Sequence, residues 1–253
     1  LLLNKSMLCD GFSILLLSIL PALIYILVIY ATVPYKTINL KTAFLYLFVG
    51  FMSVGFLRYF WMVFPDWHHI AEFFTGVDPS LKPLKYYHYY YFIQVAFIEE
   101  FSKLMIFLLI EKYRRKNFVV KDHPVGTMFY MAMVSLGFSV IENISYGTNS
   151  LDPTGTLYWR SFTAVIGHML FGLFMGYWIA YGRIGKRLYD RSLLDIVINK
   201  RKRLRNILYG FIGIFAATIL HGIYDLQLTL QGPKGLAAVY ILLVFSLLGA
   251  YWC

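Results

Sequence analysis

Long apolar runs separated by polar connections dominate the pattern of the chain. Each run is close to the roughly 20 residues that an α-helix needs to cross the hydrocarbon core of a bilayer. Inside lipid, a helix also satisfies its own backbone polar groups. The pattern therefore predicts an all-α fold, a polytopic membrane helix bundle of about seven transmembrane helices. The predicted spans are residues 12–32, 42–64, 86–112, 125–147, 157–182, 206–229 and 234–252.

The composition supports this interpretation. Of 253 residues, 59% are hydrophobic and only 14% are charged. Such an apolar excess is typical of integral membrane proteins and exceeds what a soluble domain needs for its core. No linker, low-complexity segment or internal repeat divides the sequence. We therefore expect a single integral membrane domain over residues 1–253.

The basic residues indicate an orientation. Residues 112–121, after the third span, include five Lys or Arg, residues 183–205, after the fifth, include nine, and residues 147–156 include none. Because Lys and Arg concentrate in cytoplasmic connections, we expect the N-terminus outside and the C-terminus inside. The same rule accounts for the net charge of +10. The expected surroundings are therefore a lipid bilayer, and no nucleic-acid partner is expected.

The third span carries three ionisable residues near its middle, namely Glu99, Glu100 and Lys103. Each costs roughly 2.5–3.5 kcal/mol at that depth on insertion scales, so each must face protein or water. Lys103 is i+4 from Glu99 and i+3 from Glu100, and on a helix it can reach either carboxylate. A structural ion pair would explain part of this arrangement. It would leave one negative charge, which requires either a protonated carboxyl or another cation.

Polar residues also occur inside the next two spans. Glu142 and Asn143 lie on the fourth span, where Glu142 shares one helical face with Ser135 and Ser139. His168 is near the middle of the fifth span, where a single buried histidine is more often a core residue than a ligand. Arg160, near the outer end of the same span, is expected to extend its guanidinium to the outer membrane surface.

The sixth span carries His221 and Asp225, which are spaced i and i+4. This spacing lets Asp225 accept a hydrogen bond from His221 and so fix its tautomer, which suits either catalysis or metal ligation. Gly137, Gly172 and Gly222 lie beside the polar residues and would let the helices approach closely. We therefore expect spans 3 to 6, about residues 86–229, to converge around one polar cavity.

Taken together, these motifs resemble those of the PrsW family of intramembrane proteases, which are related to the CAAX prenyl endopeptidases and the Abi proteins. The matching motifs are Glu99-Glu100-x-x-Lys103, Phe138-x-x-x-Glu142-Asn143, His168-x-x-x-Gly172 and His221-x-x-x-Asp225. The resemblance covers about residues 86–229.

The resemblance implies that the chain hydrolyses a peptide bond in a membrane-anchored protein. In bacterial members of the family, the substrate is typically a single-span anti-sigma factor cut at an extracytoplasmic site. The implied location is the bacterial cytoplasmic membrane. By position, the implied active-site set is Glu99, Glu100, Glu142, His168 and His221.

One chemistry that fits these residues uses zinc. His168, His221 and one carboxylate, Glu100 or Glu142, would bind the metal and leave the fourth position for water. The remaining glutamate would be the general base. The charge count favours a cation, because three glutamates and an aspartate face one lysine.

A second chemistry uses no metal. Glu100 would deprotonate water with help from His168, while His221 and Asn143 would donate to the developing oxyanion. Lys103 would hold the glutamates in place in either chemistry. Two other functions also remain open. One is prenyl-peptide cleavage of the CAAX type, and the other is proton- or ion-coupled transport, which also uses ionisable residues inside the membrane.

Overall fold

The computed structural model describes residues 2–32, 38–66, 84–117, 124–184 and 195–231, and within these ranges it contains helices and no strands. The α-helices are α1 (Leu2–Thr32), α2 (Leu40–Val63), α3 (Leu84–Tyr89), α4 (Ile98–Asn117), α5 (Pro124–Asn149), α6 (Pro153–Phe162), α7 (Ala164–Ile184) and α8 (Asp195–Gln231), and a π-helix, π1 (Tyr90–Phe97), joins α3 to α4. The predicted all-α fold is confirmed.

Within the described ranges, five helical segments are long and apolar enough to cross a membrane, and they coincide with predicted spans 1, 2, 4, 5 and 6. They are Gly11–Ala31, Leu40–Val63, Pro124–Asn149, Pro153–Arg183 and Leu204–Leu230. The protein is therefore a multi-pass integral membrane protein. The predicted third span is helical within 84–117, whereas the predicted seventh span, 234–252, lies outside the described residues. The orientation of the termini and the total number of spans stay predictions.

Helix α5 is the centre of the bundle. Residues 131–140 are all buried, and the helix packs against α1, α2, α6 and α7. At the crossing with α2, a Cβ atom on Gly137 would lie 2.0 Å from the carbonyl oxygen of Leu47, and one on Gly50 would lie 2.2 Å from that of Val134. Only glycine permits this backbone contact, so α2 fixes the position of the helix that carries Glu142.

The predicted fifth span is made of two helices. The Asp152 side chain caps α6 by accepting a hydrogen bond from the Gly155 N–H at 3.0 Å, and Pro153 occupies the first turn. The helix ends at Thr163, whose φ of −120° and ψ of −77° are not helical, and α7 begins at the next residue. The break lies between Arg160 and His168.

A second group of charges lies at the far end of α4, around Glu111, which is 5% exposed. Its carboxylate accepts hydrogen bonds from Tyr46 of α2, from Arg114 and Arg115 of its own helix and from Arg183 of α7. This network ties three helices together at the end of the bundle opposite Glu100 along α4.

Candidate functional site

The first two turns of α4 supply two carboxylates and a lysine. Lys103 Nζ lies 2.7 Å from Glu100 Oε1 and 3.9 Å from Glu99 Oε2, as the i+3 and i+4 spacing predicts. Glu100 and Lys103 have no exposed surface. The Lys103 ammonium also lies 4.1 Å from the centre of the Phe138 ring, a cation–π contact with α5.

His168 of α7 joins this lysine to Glu142 of α5. Its Nδ1 atom lies 3.0 Å from Lys103 Nζ, and its Nε2 atom lies 2.7 Å from Glu142 Oε2. An ammonium group can only donate hydrogen bonds. Nδ1 is therefore the acceptor, and the Nε2 proton points at the carboxylate of Glu142.

His221 brings α8 into the same cluster. Its Nδ1 atom lies 2.9 Å from Glu100 Oε1, and its Nε2 atom lies 3.4 Å from Asp225 Oδ2. The imidazole stacks on the Phe171 ring with a centroid separation of 5.0 Å and is 5.1 Å from the ring of His168. The structure thus brings together side chains from α4, α5, α7 and α8, the four elements that correspond to the predicted spans 3 to 6.

The prediction for Arg160 is wrong. Its guanidinium does not extend to the membrane surface but turns inward, where Nη2 donates to Glu142 Oε2 at 2.8 Å and Nε donates to Asn143 Oδ1 at 2.7 Å. The guanidinium also lies 3.8 Å from the centre of the Tyr146 ring. The side chain is only 15% exposed. The mostly buried carboxylate of Glu142 explains this inward direction, and the excess of acidic residues was the sequence signal for a second cation.

Two of the three predicted glycines let helices meet around the cluster itself. A Cβ atom on Gly172 would lie 2.5 Å from Ser135 Oγ, and one on Gly222 would lie 2.6 Å from the ring of Phe92. Gly172 therefore lets α7 approach α5 closely, four residues after His168. Gly222 likewise lets π1 pack directly against α8, beside His221.

Three of these residues could hold a metal ion. Glu99, His168 and His221 each offer one donor atom, and the three atoms lie within 4.8 Å of one another. Glu99 Oε2 is buried and has no hydrogen-bond partner among the described residues, and it lies 3.9 Å from His221 Nε2. Two imidazoles and a carboxylate are ligands that zinc favours. The donor set therefore fits the metal, although ligation would draw the side chains closer and replace one hydrogen bond of His168.

The carboxylate in this candidate metal site is that of Glu99, whereas the sequence favoured Glu100 or Glu142. Lys103 and His221 both hold the Oε1 atom of Glu100, and Arg160 and His168 both hold the Oε2 atom of Glu142. A hydrogen bond from Nδ1 of a histidine to a carboxylate is the usual way of presenting Nε2 to a metal. Glu100 thus suits the role of orienting His221.

The charges of the site are not balanced by its own cations. Within the described part of the chain, the permanent cations that face Glu99, Glu100, Glu142 and Asp225 are Lys103 and Arg160. With both histidines neutral, two negative charges remain. Because unbalanced buried charge is costly, the site requires two protons or one divalent cation.

The family model described as PrsW family intramembrane metalloprotease matches residues 41–251. The chain belongs to the PrsW family. The resemblance that the four motifs carry is thereby confirmed, and the match extends beyond residues 86–229 on both sides.

Curated relatives support the assignment to the PrsW family. Protease PrsW of Oceanobacillus iheyensis is 30% identical over 53% of this chain and 52% of its own length. Protease PrsW of Geobacillus kaustophilus is 28% identical over 53% and 49%, and that of Shouchella clausii is 26% identical over 64% of each chain. The chain spans about half the length of the first two relatives. No solved structure gives a significant match.

Proposed function

We propose that the chain is an intramembrane endopeptidase that hydrolyses a peptide bond in a membrane-anchored protein, with a single-span anti-sigma factor in a bacterial cytoplasmic membrane as the expected substrate class. The observation that carries this proposal is the largely buried cluster of three glutamates, two histidines and Lys103, built from four packed elements in a member of the PrsW family. The family match favours proteolysis over ion transport.

Glu100 is the proposed general base. Lys103 and His221 hold its Oε1 atom at 2.7 and 2.9 Å, while Oε2 is buried without a hydrogen-bond partner among the described residues. A carboxylate held by one oxygen can take a proton from water with the other. The water oxygen would then attack the scissile carbonyl, and Glu100 would return the proton to the amine nitrogen as the C–N bond breaks.

Asn143 is the proposed donor to the oxyanion. Its Oδ1 atom accepts the hydrogen bond from Arg160, and its Nδ2 group is buried with no partner in the described part of the chain. A fixed and unpaired N–H group in a site shielded from water is suited to stabilise developing negative charge. His221 is less suited, because its Nδ1 proton already points at Glu100.

Glu99, His168 and His221 are the proposed metal ligands. A divalent metal such as zinc would polarise the scissile carbonyl and make bound water more acidic. Glu142 and Arg160 would hold His168 in position. The assignment of Glu99 rests on its unpaired oxygen and on its distance from His221 Nε2.

The proposal is tested by a matched pair of substitutions on one helix. Glu100→Gln keeps the shape of the side chain but removes the base, whereas Glu111→Gln makes the same change at another buried glutamate outside the site. Each variant is co-expressed with epitope-tagged single-span anti-sigma factors, and the shortened fragment is followed by immunoblot. We expect Glu100→Gln to abolish cleavage and Glu111→Gln to retain it at equal amounts of membrane-inserted protein. Cleavage by Glu100→Gln would contradict the proposed base.

The metal is tested by mass spectrometry on protein purified without chelator. We expect close to one zinc per chain in the native protein and none in a His168→Ala, His221→Ala double variant. If the native protein retains full cleavage activity without any metal, the metal-free chemistry is the correct one.

A further inference from the structure

An apolar groove with a volume of about 780 Å³ lies between α4, α7 and α8. Its apolar walls include Phe97, Phe101, Leu104, Leu108, Phe211 and Ile214. From Phe97 to Leu108 the helix rises about 16 Å. This is about half of the roughly 30 Å hydrocarbon core, which is the depth of one leaflet.

One end of the groove is polar. Arg183 and Asn206 line it there, and Arg183 contacts Glu111, which follows Leu108 by one turn of α4. Next to Asn206, the Nε atom of Arg205 donates to the Gly182 carbonyl oxygen at 3.0 Å. The Nη2 group of Arg205 is buried and has no hydrogen-bond partner among the residues that the structure describes. A buried guanidinium N–H without an acceptor is costly, which points to an acceptor supplied by a ligand.

The polar end also lies in the most basic part of the sequence. Residues 183–205 include nine Lys or Arg and only two acidic residues, Asp190 and Asp195. Among the described residues at this end, Arg114, Arg115 and Arg183 surround the carboxylate of Glu111, so with Arg205 the local charge is positive and favours an anion. Basic residues beside membrane helices typically contact acidic lipid headgroups.

We propose that this groove binds one anionic phospholipid. Its phosphate accepts hydrogen bonds at the end lined by Arg183 and Asn206, next to Arg205, and an acyl chain lies along the apolar walls. The length of the groove fits one leaflet and is too short for a helix that spans the bilayer. Charge supports the same choice, because single-span proteins commonly carry Lys or Arg at their cytoplasmic end, and those side chains would be repelled here.

The test uses the full chain in phosphatidylcholine vesicles with spin-labelled phosphatidylglycerol or spin-labelled phosphatidylcholine as the probe. Two variants change the groove. Arg205→Gln removes a charge next to its polar end, and Gly210→Leu fills the groove, where an added Cβ atom would meet nothing within 4 Å. Two matched controls lie outside it. Gly55 of α2 is equally open, so Gly55→Leu is the steric control, and Lys112→Gln removes an exposed charge at the same end of α4.

We expect the native chain to prefer phosphatidylglycerol over phosphatidylcholine roughly five- to tenfold at one site. Arg205→Gln should bring the ratio close to one, Gly210→Leu should remove the preferred site, and both controls should keep it. The proposal is overturned if the preference survives in Arg205→Gln and Gly210→Leu, or if both probes lose affinity equally in Arg205→Gln. It is also overturned if Gly210→Leu blocks cleavage of a single-span protein while lipid preference is unchanged, because the groove would then hold a substrate helix. Should Arg205→Gln fail to fold, Gly210→Leu decides alone.

Discussion

The crossing of α2 and α5 allows a prediction about the effect of one methyl group. Gly50→Ala would place a Cβ atom 2.2 Å from the carbonyl oxygen of Val134, whereas an ordinary carbon–oxygen contact is about 3.3–3.6 Å. The two backbones must therefore separate by about 1 Å. On the same helix, Gly55→Ala would place its Cβ atom where nothing lies within 4 Å. The two substitutions are chemically identical and differ only in their surroundings.

The magnitudes follow from this difference. Overpacking costs typically about 1–3 kcal/mol, and a backbone carbonyl cannot rotate away as a side chain can, so we expect Gly50→Ala to lose about 2–3 kcal/mol. Gly55→Ala should gain up to about 1 kcal/mol from helix propensity. The two variants should therefore differ by about 3 kcal/mol in free energy of unfolding, which corresponds to about 6–12 °C in Tm for a chain of this size. Because α5 carries Glu142, a shift of about 1 Å should also reduce the cleavage rate, by up to about 100-fold.

Thermal unfolding of the two variants in the same detergent measures the difference in their stability. Cleavage per folded molecule measures the expected reduction in rate. Equal Tm values for Gly50→Ala and Gly55→Ala would show that the helices do not cross in backbone contact. Normal cleavage by a destabilised Gly50→Ala variant would show that the site does not depend on the position of α5.

Three further changes test other contacts. Arg160→Gln should lower the cleavage rate about 10–100-fold without loss of folded protein, because Glu142 loses its cation. The control is Arg58→Gln, which changes an exposed arginine of α2. Equal cleavage rates for the two variants would refute the role of Arg160. Tyr46→Phe should destabilise the chain by about 1–2 kcal/mol in thermal unfolding, because Glu111 loses a hydrogen-bond donor. The network around Glu111 lies outside the site, so a loss of cleavage per folded molecule would contradict this prediction. Zinc at about 100 times its Kd should stabilise the native chain by about 2.7 kcal/mol, and an equal rise in Tm for the variant lacking both histidines would place the metal elsewhere.

The convergence of the site was predictable because charge inside a membrane needs a partner. Glu99, Glu100 and Lys103 could not face lipid, and His168 and His221 were the ionisable groups on neighbouring spans that could meet them. The spacing of Lys103 also predicted both of its carboxylate contacts. These conclusions depend only on helical geometry and on the cost of burying charge.

The pairing within the site was not predictable, because it depends on how the helices are rotated. The spacing on α8 favoured Asp225 as the acceptor for His221, but Glu100 of another helix takes the Nδ1 contact at 2.9 Å. Arg160 was misjudged for a related reason. A cation near the end of a span usually extends toward water, and the end of α6 at Thr163 gives no strong signal in the sequence.

The π-helix that precedes Glu99 alters how the third span must be read. A turn with i→i+5 hydrogen bonds takes up about one residue more than an α-turn, so Tyr90–Phe97 shifts the phase between the two ends of the span. A helical wheel drawn through Tyr87 and Lys103 at a constant angle per residue would therefore assign the tyrosines to the wrong face. Removing a single residue from this segment would restore a regular spiral and rotate the aromatic end relative to the turn that carries Glu99 and Glu100. An insertion or deletion of one residue in Tyr90–Phe97 would thus rotate every preceding side chain of this helix about the helix axis.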